Sequence, residues 1–247
     1  MKSSKLALLL LASMAVATAS SAQVVTFKAS DGQKVFAQLY SANKKSKGII
    51  LMFHQAGSNR SEYSPIATQV IKLGFDCLAV DQRSGGNMWN ATNQTAAQYR
   101  QVNNYLSAYQ DMEGALDWAK SRNYPKIIAW GSSYSASLVL RLMSEHPEIA
   151  AGLVFSPGEY FDQKDLVASW NRKVKSPVLF AFSKSEALNG GLKLYQSAGK
   201  SPRRSRDTML ANKEGIHGSS TLRQDRNPKG NSTYWTGVET FLRAVGK

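Results

Sequence analysis

Runs of consecutive apolar residues alternate along this chain with stretches in which apolar residues recur at helical spacing. Continuous apolar runs predict strands that are buried on both faces of a sheet. The amphipathic stretches between them predict helices that cover those faces, as in a parallel sheet with helices on both sides. The predicted buried strands are residues 48–53, 75–80, 126–130, 151–155 and 178–182, and the predicted helices are residues 63–73, 105–121, 134–145 and 234–245.

The pattern begins differently at the N-terminal end. Two alternating stretches, Val24 to Phe27 and Lys34 to Tyr40, flank the turn sequence Ser30-Asp31-Gly32. This spacing predicts an antiparallel hairpin ahead of the parallel strands. We therefore expect an α/β fold with a mostly parallel sheet of about eight strands, and a single domain over residues 23–247.

The first 22 residues have the pattern of a secretory signal peptide. A short basic segment precedes the apolar residues 6–16, and Ser20-Ser21-Ala22 offers small residues for cleavage before Gln23. No other segment approaches the roughly 18 uninterrupted apolar residues that a membrane span needs. Cys77 is the only cysteine, so no intramolecular disulfide forms. We expect a periplasmic or secreted protein without stable membrane insertion, and a monomer.

The chain is strongly basic, with 31 Lys and Arg against 17 Asp and Glu, a formal charge of +14. The basic residues cluster in segments 44–47, 172–175 and 200–206. None of these segments carries interleaved aromatic residues, a zinc pattern or a recognition helix, which argues against nucleic acid as a partner. We expect solvated basic loops with a loose attraction to an anionic envelope.

Candidate chemistry is concentrated at Ser133, which follows the predicted strand 126–130. The sequence Gly131-Ser132-Ser133-Tyr134-Ser135 has very small side chains two residues before and two residues after Ser133. A nucleophile elbow requires this spacing, because the sharp turn brings those two positions close together. The usual elbow has Gly where Ser135 stands. The helix predicted from Tyr134 directs its N-terminal amides at the serine.

Three further motifs occur in the order expected around such an elbow. They are His54-Gln55-Ala56-Gly57 after the third strand, residues 81–86 (DQRSGG) after the fourth, and Gly215-Ile216-His217-Gly218 near the end of the chain. With these motifs, nearly the whole chain resembles the α/β hydrolases, in particular small dienelactone-hydrolase-like and carboxylesterase-like members. The resemblance implies an H-G-x-G oxyanion loop at the first motif, with Gln55 in place of Gly, and a catalytic histidine at His217.

The resemblance also implies a role for each site residue. Ser133 is the nucleophile and His217 the general base, while the backbone amides of Ala56 and Tyr134 form the oxyanion hole. Glu186 stands after the strand 178–182, where the family carries its acid. Asp162 and Asp165 are the alternative acids. No cofactor or metal is expected.

The substrate pocket is less defined by the sequence. Gln55, Tyr160 and Trp89 are candidate substrate contacts, and the short segment between the sixth and seventh strands predicts an open site. We expect an exported serine hydrolase that cleaves small carboxylic esters through a Ser-His-Glu triad and an acyl-enzyme. A serine peptidase or amidase of the same fold is one alternative, and a catalytically silent binding protein is the other.

Overall fold

The computed structural model describes residues 22–42, 45–99 and 104–247. Their backbone forms one eight-stranded sheet in the order β1-β2-β4-β3-β5-β6-β7-β8. The strands are β1 (Ala22–Lys28), β2 (Lys34–Tyr40), β3 (Ile49–Phe53), β4 (Asp76–Val80), β5 (Ile127–Ser132), β6 (Ala151–Phe155), β7 (Val178–Ser183) and β8 (Thr208–Asn212).

The N-terminal hairpin joins an otherwise parallel sheet. β1 pairs with β2, and β2 with β4, in antiparallel fashion, whereas every pair from β4 through β8 is parallel. Parallel strands share one carboxyl edge, so the loops that follow β3, β5, β6 and β7 converge on the same end of the molecule. The candidate residues Ser133, Glu186 and Ala56 all lie within three residues of the ends of these strands.

In the part of the chain that the structure describes, seven α-helical segments accompany the strands. They are α1 (Ser64–Val70), α2 (Tyr109–Lys120), α3 (Tyr134–Glu145), α4 (Leu166–Lys173), α5 (Lys184–Glu186), α6 (Leu192–Gln196) and α7 (Asn231–Val245). A π-helical turn, Ala187–Gly191, joins α5 to α6. Short 3₁₀ helices cover Arg60–Tyr63, Ile71–Leu73, Ala96–Gln98, Tyr105–Ala108, Pro202–Arg206 and Gly218–Leu222.

The buried side chains form two hydrophobic cores, one on each face of the sheet. Along β3, Ile49, Leu51 and Phe53 pack with α2 and α3, while Ile50 and Met52 pack with α1 and α7. Because side chains alternate across a strand, a continuous apolar run serves both cores at once. All five residues of β3 are fully buried.

The predicted fold class is confirmed, including the antiparallel hairpin and the helices on both faces. The strand β8 and the helices α4, α5 and α6 were not predicted. β8 is only partly buried and lies at the edge of the sheet, so its sequence lacks a continuous apolar run. α4 has eight residues, too few for a clear helical period.

The predicted signal peptide lies outside the described residues except for Ala22, which is the first residue of β1. In the described part of the chain, no helix is both long enough and apolar enough to cross a bilayer.

Candidate active site

Ser133 occupies the tight turn between β5 and α3. Its backbone has φ 59° and ψ −128°, a strained conformation for a residue with a side chain. The same turn brings Gly131 against α3, where an added Cβ would lie 2.5 Å from the carbonyl oxygen of Ser135 and 2.6 Å from the Cα of Ala136. Only glycine fits at position 131, as the elbow motif predicts.

Ser135 replaces the usual glycine of the elbow and gives it additional hydrogen bonds. Its hydroxyl lies 2.6 Å from the carbonyl oxygen of His54 and 2.8 Å from Oε1 of Gln82. These contacts join the start of α3 to the loops that follow β3 and β4. The buried hydroxyl of Ser135 therefore connects three of the four sequence motifs, namely the elbow, the motif that begins at His54 and residues 81–86.

Ser133, His217 and Glu186 form a hydrogen-bonded chain. Oγ of Ser133 lies 2.8 Å from Nε2 of His217, and Nδ1 of the same ring lies 2.6 Å from Oε1 of Glu186. An ionised carboxylate only accepts hydrogen bonds, so Nδ1 carries the proton and Nε2 accepts from the Ser133 hydroxyl. Ser133 is 7 % exposed, whereas the His217 side chain is 48 % exposed.

Glu186 is oriented by the start of the helix that follows β7. Its Oε2 accepts from the backbone N–H of Ser183 at 2.8 Å, and the hydroxyl of Ser183 accepts from the backbone N–H of Glu186. This reciprocal arrangement is a capping box, which requires Glu or Gln at its third helical position. The longer side chain of Glu, compared with Asp, is what lets one carboxylate cap the helix and reach His217.

The ionised form of Glu186 is favoured by its partners. Burial acts to raise the pKa of this carboxyl, but hydrogen bonds from His217, from the Ser183 backbone and from Ser156 outweigh it. The pKa is held below its ordinary value. An anionic group therefore lies beside the imidazole across the neutral pH range.

The loop that carries His217 is fixed by two buried serines. The backbone N–H of Gly218 donates to the hydroxyl of Ser156 at 2.8 Å, and that of Ser219 donates to the hydroxyl of Ser132 at 2.9 Å. The Ser219 hydroxyl in turn accepts from the indole N–H of Trp130. The ends of β5 and β6 thus determine where the imidazole lies.

Ser156 was not identified by the sequence analysis. It directly follows β6, is 2 % exposed, and has φ 54°. No motif in the sequence points to it. The capping sequence Ser183-x-x-Glu186, by contrast, is a recognisable signal and would have strengthened the assignment of Glu186.

The two predicted oxyanion donors follow adjacent strands of the sheet, β3 and β5. Tyr134 is the first residue of α3, so its N–H has no acceptor within the helix. Ala56 follows β3, whose last residue, Phe53, pairs with Gly131 of β5. The register therefore brings the Ala56 loop next to the elbow. The preceding amide, that of Gln55, donates instead to Oε2 of Glu62 at 2.9 Å.

Glu62 is a buried acid beneath this loop. Its side chain is inaccessible to solvent, and burial raises the pKa of the carboxyl above its ordinary value despite the hydrogen bond from the Gln55 backbone. Within the described chain, its Oε1 atom has no hydrogen-bond partner. No motif in the sequence points to Glu62.

His54 has a structural position. It is fully buried, its Nδ1 lies 2.7 Å from the carbonyl oxygen of Gln55, and its Nε2 accepts from the backbone N–H of Gln82 at 2.9 Å. Burial lowers the pKa of the ring. A neutral imidazole with both nitrogens engaged connects the loops after β3 and β4.

A cavity of about 670 Å³ opens beside Glu186, and Ser156 and Tyr160 line it. The Tyr160 hydroxyl donates to the carbonyl oxygen of Ser156 at 2.7 Å. Burial raises the pKa of this phenol, and an interaction with Ser133 partly opposes the rise. Tyr160 thus lies on the wall of this cavity, and its role as a substrate contact stays a prediction.

The other two predicted substrate contacts differ in their surroundings. The side-chain amide of Gln55 lies beside Sδ of Met88 and close to the Gly218 backbone, at the site. The indole N–H of Trp89 donates to the Ser58 hydroxyl at 2.8 Å, and the Arg223 guanidinium lies 4.0 Å above its ring. These contacts hold Trp89 against Arg223, so a role in substrate binding rests on the sequence prediction alone.

The alternative acids are placed elsewhere. Asp165 precedes α4 and lies 3.8 Å from Nζ of Lys193. Asp162 is exposed on the same loop. Across residues 22–42, 45–99 and 104–247, no group of three or more His, Cys, Asp or Glu side chains is arranged as metal ligands would be.

The sheet order, the strand-to-helix elbow and the loops at the carboxyl edge are those of the α/β-hydrolase superfamily, to which this protein belongs. Within it, the family described as serine aminopeptidase, S33, matches residues 44–215. This match covers more than half of the chain. The chain belongs to that family and is a hydrolase.

Solved structures resemble the whole fold at low sequence identity. An esterase from Pyrococcus furiosus is 18 % identical, with 92 % of this chain and 94 % of that chain covered and a TM-score of 0.70. A dienelactone hydrolase from Anabaena variabilis is 15 % identical, covering 90 % and 98 %, with a TM-score of 0.67.

An acylaminoacyl peptidase from Pyrococcus horikoshii is 14 % identical, covering 91 % of this chain but 41 % of that chain, with a TM-score of 0.66. At such identities the similarity shows the fold alone. No curated protein sequence matches the chain at a significant level.

Proposed function

We propose that this protein is a serine hydrolase that cleaves small carboxylic esters through Ser133, His217 and Glu186. The observation that supports the proposal is the hydrogen-bonded chain of these side chains, 2.8 Å from Oγ to Nε2 and 2.6 Å from Nδ1 to Oε1. A hydroxyl is a weak nucleophile unless a base takes its proton during attack. An imidazole that already accepts from that hydroxyl is such a base.

In the acylation step, Oγ of Ser133 attacks the ester carbonyl carbon while Nε2 of His217 takes the hydroxyl proton. The negative charge on the carbonyl oxygen is stabilised by the backbone N–H groups of Ala56 and Tyr134. Glu186 stabilises the imidazolium that forms and keeps the proton on Nδ1. The intermediate collapses with cleavage of the C–O bond, and the imidazolium gives its proton to the departing alkoxide.

Deacylation repeats these steps with water. His217 takes a proton from a water molecule that attacks the acyl carbon, and Oγ of Ser133 leaves with the proton that His217 returns. The balance of both steps is ester plus water giving acid plus alcohol, and no cofactor is required. The half-exposed imidazole and the open cavity suit a small substrate that enters from solvent.

Hydrolysis of amides is the second candidate, because the family match carries the description serine aminopeptidase. The same residues would cleave a C–N bond, with His217 protonating the amine as it leaves. A catalytically silent binding protein is the third candidate. It is disfavoured because the serine, the histidine and the acid are all in hydrogen-bond contact.

A fluorophosphonate probe tests the nucleophile directly. We expect the probe to label Ser133, and Ser133→Ala to abolish both labelling and turnover of p-nitrophenyl acetate. Ser144→Ala is the matched control, because that hydroxyl bonds only to its own helix at the Arg141 carbonyl. Labelling that persists at another serine in Ser133→Ala would overturn the assignment.

Substrate class is tested with matched leaving groups. Comparing p-nitrophenyl esters with aminoacyl p-nitroanilides gives the ratio of kcat/KM for ester and amide, and we expect the ester to dominate by more than the intrinsic difference in reactivity. A higher kcat/KM for the anilides would make the peptidase the better description.

Export is proposed from the first 22 residues. We expect the native protein to begin at Gln23 and to be recovered from the periplasm or the medium. Mass spectrometry that finds an intact Met1 would contradict this.

A further inference from the structure

Two basic segments that are far apart in the sequence form one surface in the fold. The hydroxyl of Ser201 donates to the carbonyl oxygen of Lys175 at 2.9 Å, and Gly199 packs against the backbone of Arg172. These contacts join segment 172–175 to segment 200–206. The combined area, which we call the basal basic surface, consists of Lys126, Lys173, Lys175, Lys200, Arg203 and Arg206.

A cavity of about 480 Å³ lies within this surface. Lys126, Arg203 and Arg206 line it, and the remaining lining residues are Ala150, Pro177, Pro202, Ser205 and Val245. Among the described residues, the lining of this cavity thus contains three cationic side chains and no acidic one. A concave site lined by charges of one sign concentrates ions of the opposite sign, because the surrounding protein focuses the electric field. Here those ions are anions.

The positive charge of the surface is not neutralised by neighbouring acids. Within the described chain, none of its six cations takes part in an ion pair. Asp207 is the one carboxylate close by in sequence. It is nearly buried, paired with Arg204, and accepts from the backbone N–H of Val178.

The basal basic surface lies at the opposite end of the sheet from the candidate active site. Lys126 precedes β5, Lys175 precedes β7 and Arg206 precedes β8, whereas Ser133 and Glu186 follow β5 and β7. A six-residue strand rises roughly 20 Å at about 3.3 Å per residue. A large partner seated on this surface would leave the active-site cavity open to solvent.

We propose that the basal basic surface docks the protein on a membrane that contains anionic phospholipids, with the lipid phosphates facing Arg203 and Arg206. Phosphate is the matching chemistry, because a guanidinium binds its oxygens in pairs. Among the described residues that line the cavity there is no aromatic side chain on which a base could stack, and its arginines stand on a five-residue 3₁₀ helix, too short to enter a groove. These features favour a lipid surface over nucleic acid, as does the predicted export.

The expected strength of docking follows from the number of charges. Each Lys or Arg near an anionic bilayer adds about 1 kcal/mol, or roughly a fivefold gain in partitioning. Neutralising three of the cations should therefore weaken binding about a hundredfold. The attraction should also disappear in high salt, where the Debye length falls to about 3 Å.

Vesicle co-sedimentation of the mature chain tests the proposal. One vesicle set contains phosphatidylcholine alone, and in the other roughly a third of the lipid is phosphatidylglycerol. The test variant is Lys175→Gln/Arg203→Gln/Arg206→Gln. The matched control, Lys164→Gln/Lys213→Gln/Lys229→Gln, removes the same net charge from exposed positions outside the surface. Turnover of p-nitrophenyl acetate reports that each variant is folded.

We expect binding to the phosphatidylglycerol vesicles only, about a hundredfold weaker in the test variant and much less affected in the control, with turnover unchanged in both. Equal loss of binding in the two variants would mean that net charge alone is responsible and would overturn the assigned surface. Binding that does not require phosphatidylglycerol would do the same. Tighter binding to a short DNA duplex at the same salt, lost in the test variant, would replace the membrane with nucleic acid as the partner.

Discussion

The hydroxyl of Ser156 donates to Oε2 of Glu186 at 2.9 Å and at the same time accepts from the backbone N–H of Gly218 at 2.8 Å. One buried side chain therefore holds both the acid and the loop that carries His217. Ser156 has φ 54°, a backbone conformation that is strained for a residue with a side chain.

Ser156→Ala should lower kcat for ester hydrolysis about tenfold to a hundredfold, with little change in KM. Hydrogen bonds to charged groups contribute about 1.5–3 kcal/mol, and each 1.4 kcal/mol is about tenfold in rate. The loss of activity that protonation of Glu186 causes at acid pH should also begin at a higher pH, since one of the bonds that lower the pKa of Glu186 is lost. A change in stability without any change in the pH profile would limit Ser156 to a structural role.

Glu186→Gln should keep the fold and reduce turnover by about two to four orders of magnitude. Glutamine still satisfies the capping box, so the start of α5 is preserved, but the imidazolium loses its anionic partner. Glu186→Asp should retain part of the activity. Asp162→Asn and Asp165→Asn serve as controls and should be nearly silent. If instead one of them abolishes turnover while Glu186→Gln does not, the acid follows β6.

Gly131→Ala should prevent formation of the elbow. The added Cβ would lie 2.5 Å from the Ser135 carbonyl oxygen, a backbone atom that cannot move without displacing α3. We expect loss of fluorophosphonate labelling and a large drop in stability. Gly237→Ala is the control, because the three atoms nearest its Cβ all belong to the side chain of Leu210 rather than to backbone, and alanine is the better helix former. Normal labelling of Gly131→Ala would show that the turn is looser than its geometry implies.

Glu62→Gln should make the protein more stable at neutral pH than the wild type. The pKa of this buried carboxyl is raised above 4.5, so the folded state binds more protons than the unfolded state once the pH exceeds that value. Stability of the wild type therefore falls as the pH rises from there toward the folded-state pKa. Glutamine keeps an acceptor for the Gln55 N–H and does not ionise.

The difference between Glu62→Gln and the wild type should vanish below pH 4.5 and grow above it, as measured by urea unfolding across pH. Glu239→Gln, at a partly exposed position on α7, is the control for the removal of one carboxylate. A stability difference that is independent of pH would mean that ionisation of Glu62 does not destabilise the folded state.

The sequence by itself determined the elements with strong local signals. Five buried strands, the hairpin and the helix Tyr134–Glu145 were predicted because continuous and periodic apolar patterns reflect burial directly. Gly131 and Ser133 were identifiable because a steric requirement of one turn fixes their spacing. The edge strand β8 and the short helix α4 lack such patterns, since neither is buried deeply enough or extends far enough to impose one.

Only the tertiary structure decided which distant residues meet. Ser156 has no motif, and its contact with Glu186 exists because β6 lies between β5 and β7 in the sheet. Sequence position alone left Glu186, Asp162 and Asp165 as candidate acids of the triad. The contact of Glu186 with His217 depends instead on where two loops converge. The basic segments 172–175 and 200–206 became one surface for the same reason. Local sequence encodes burial and turn sterics, but a pairing between separated loops depends on the order of the strands, which no single segment contains.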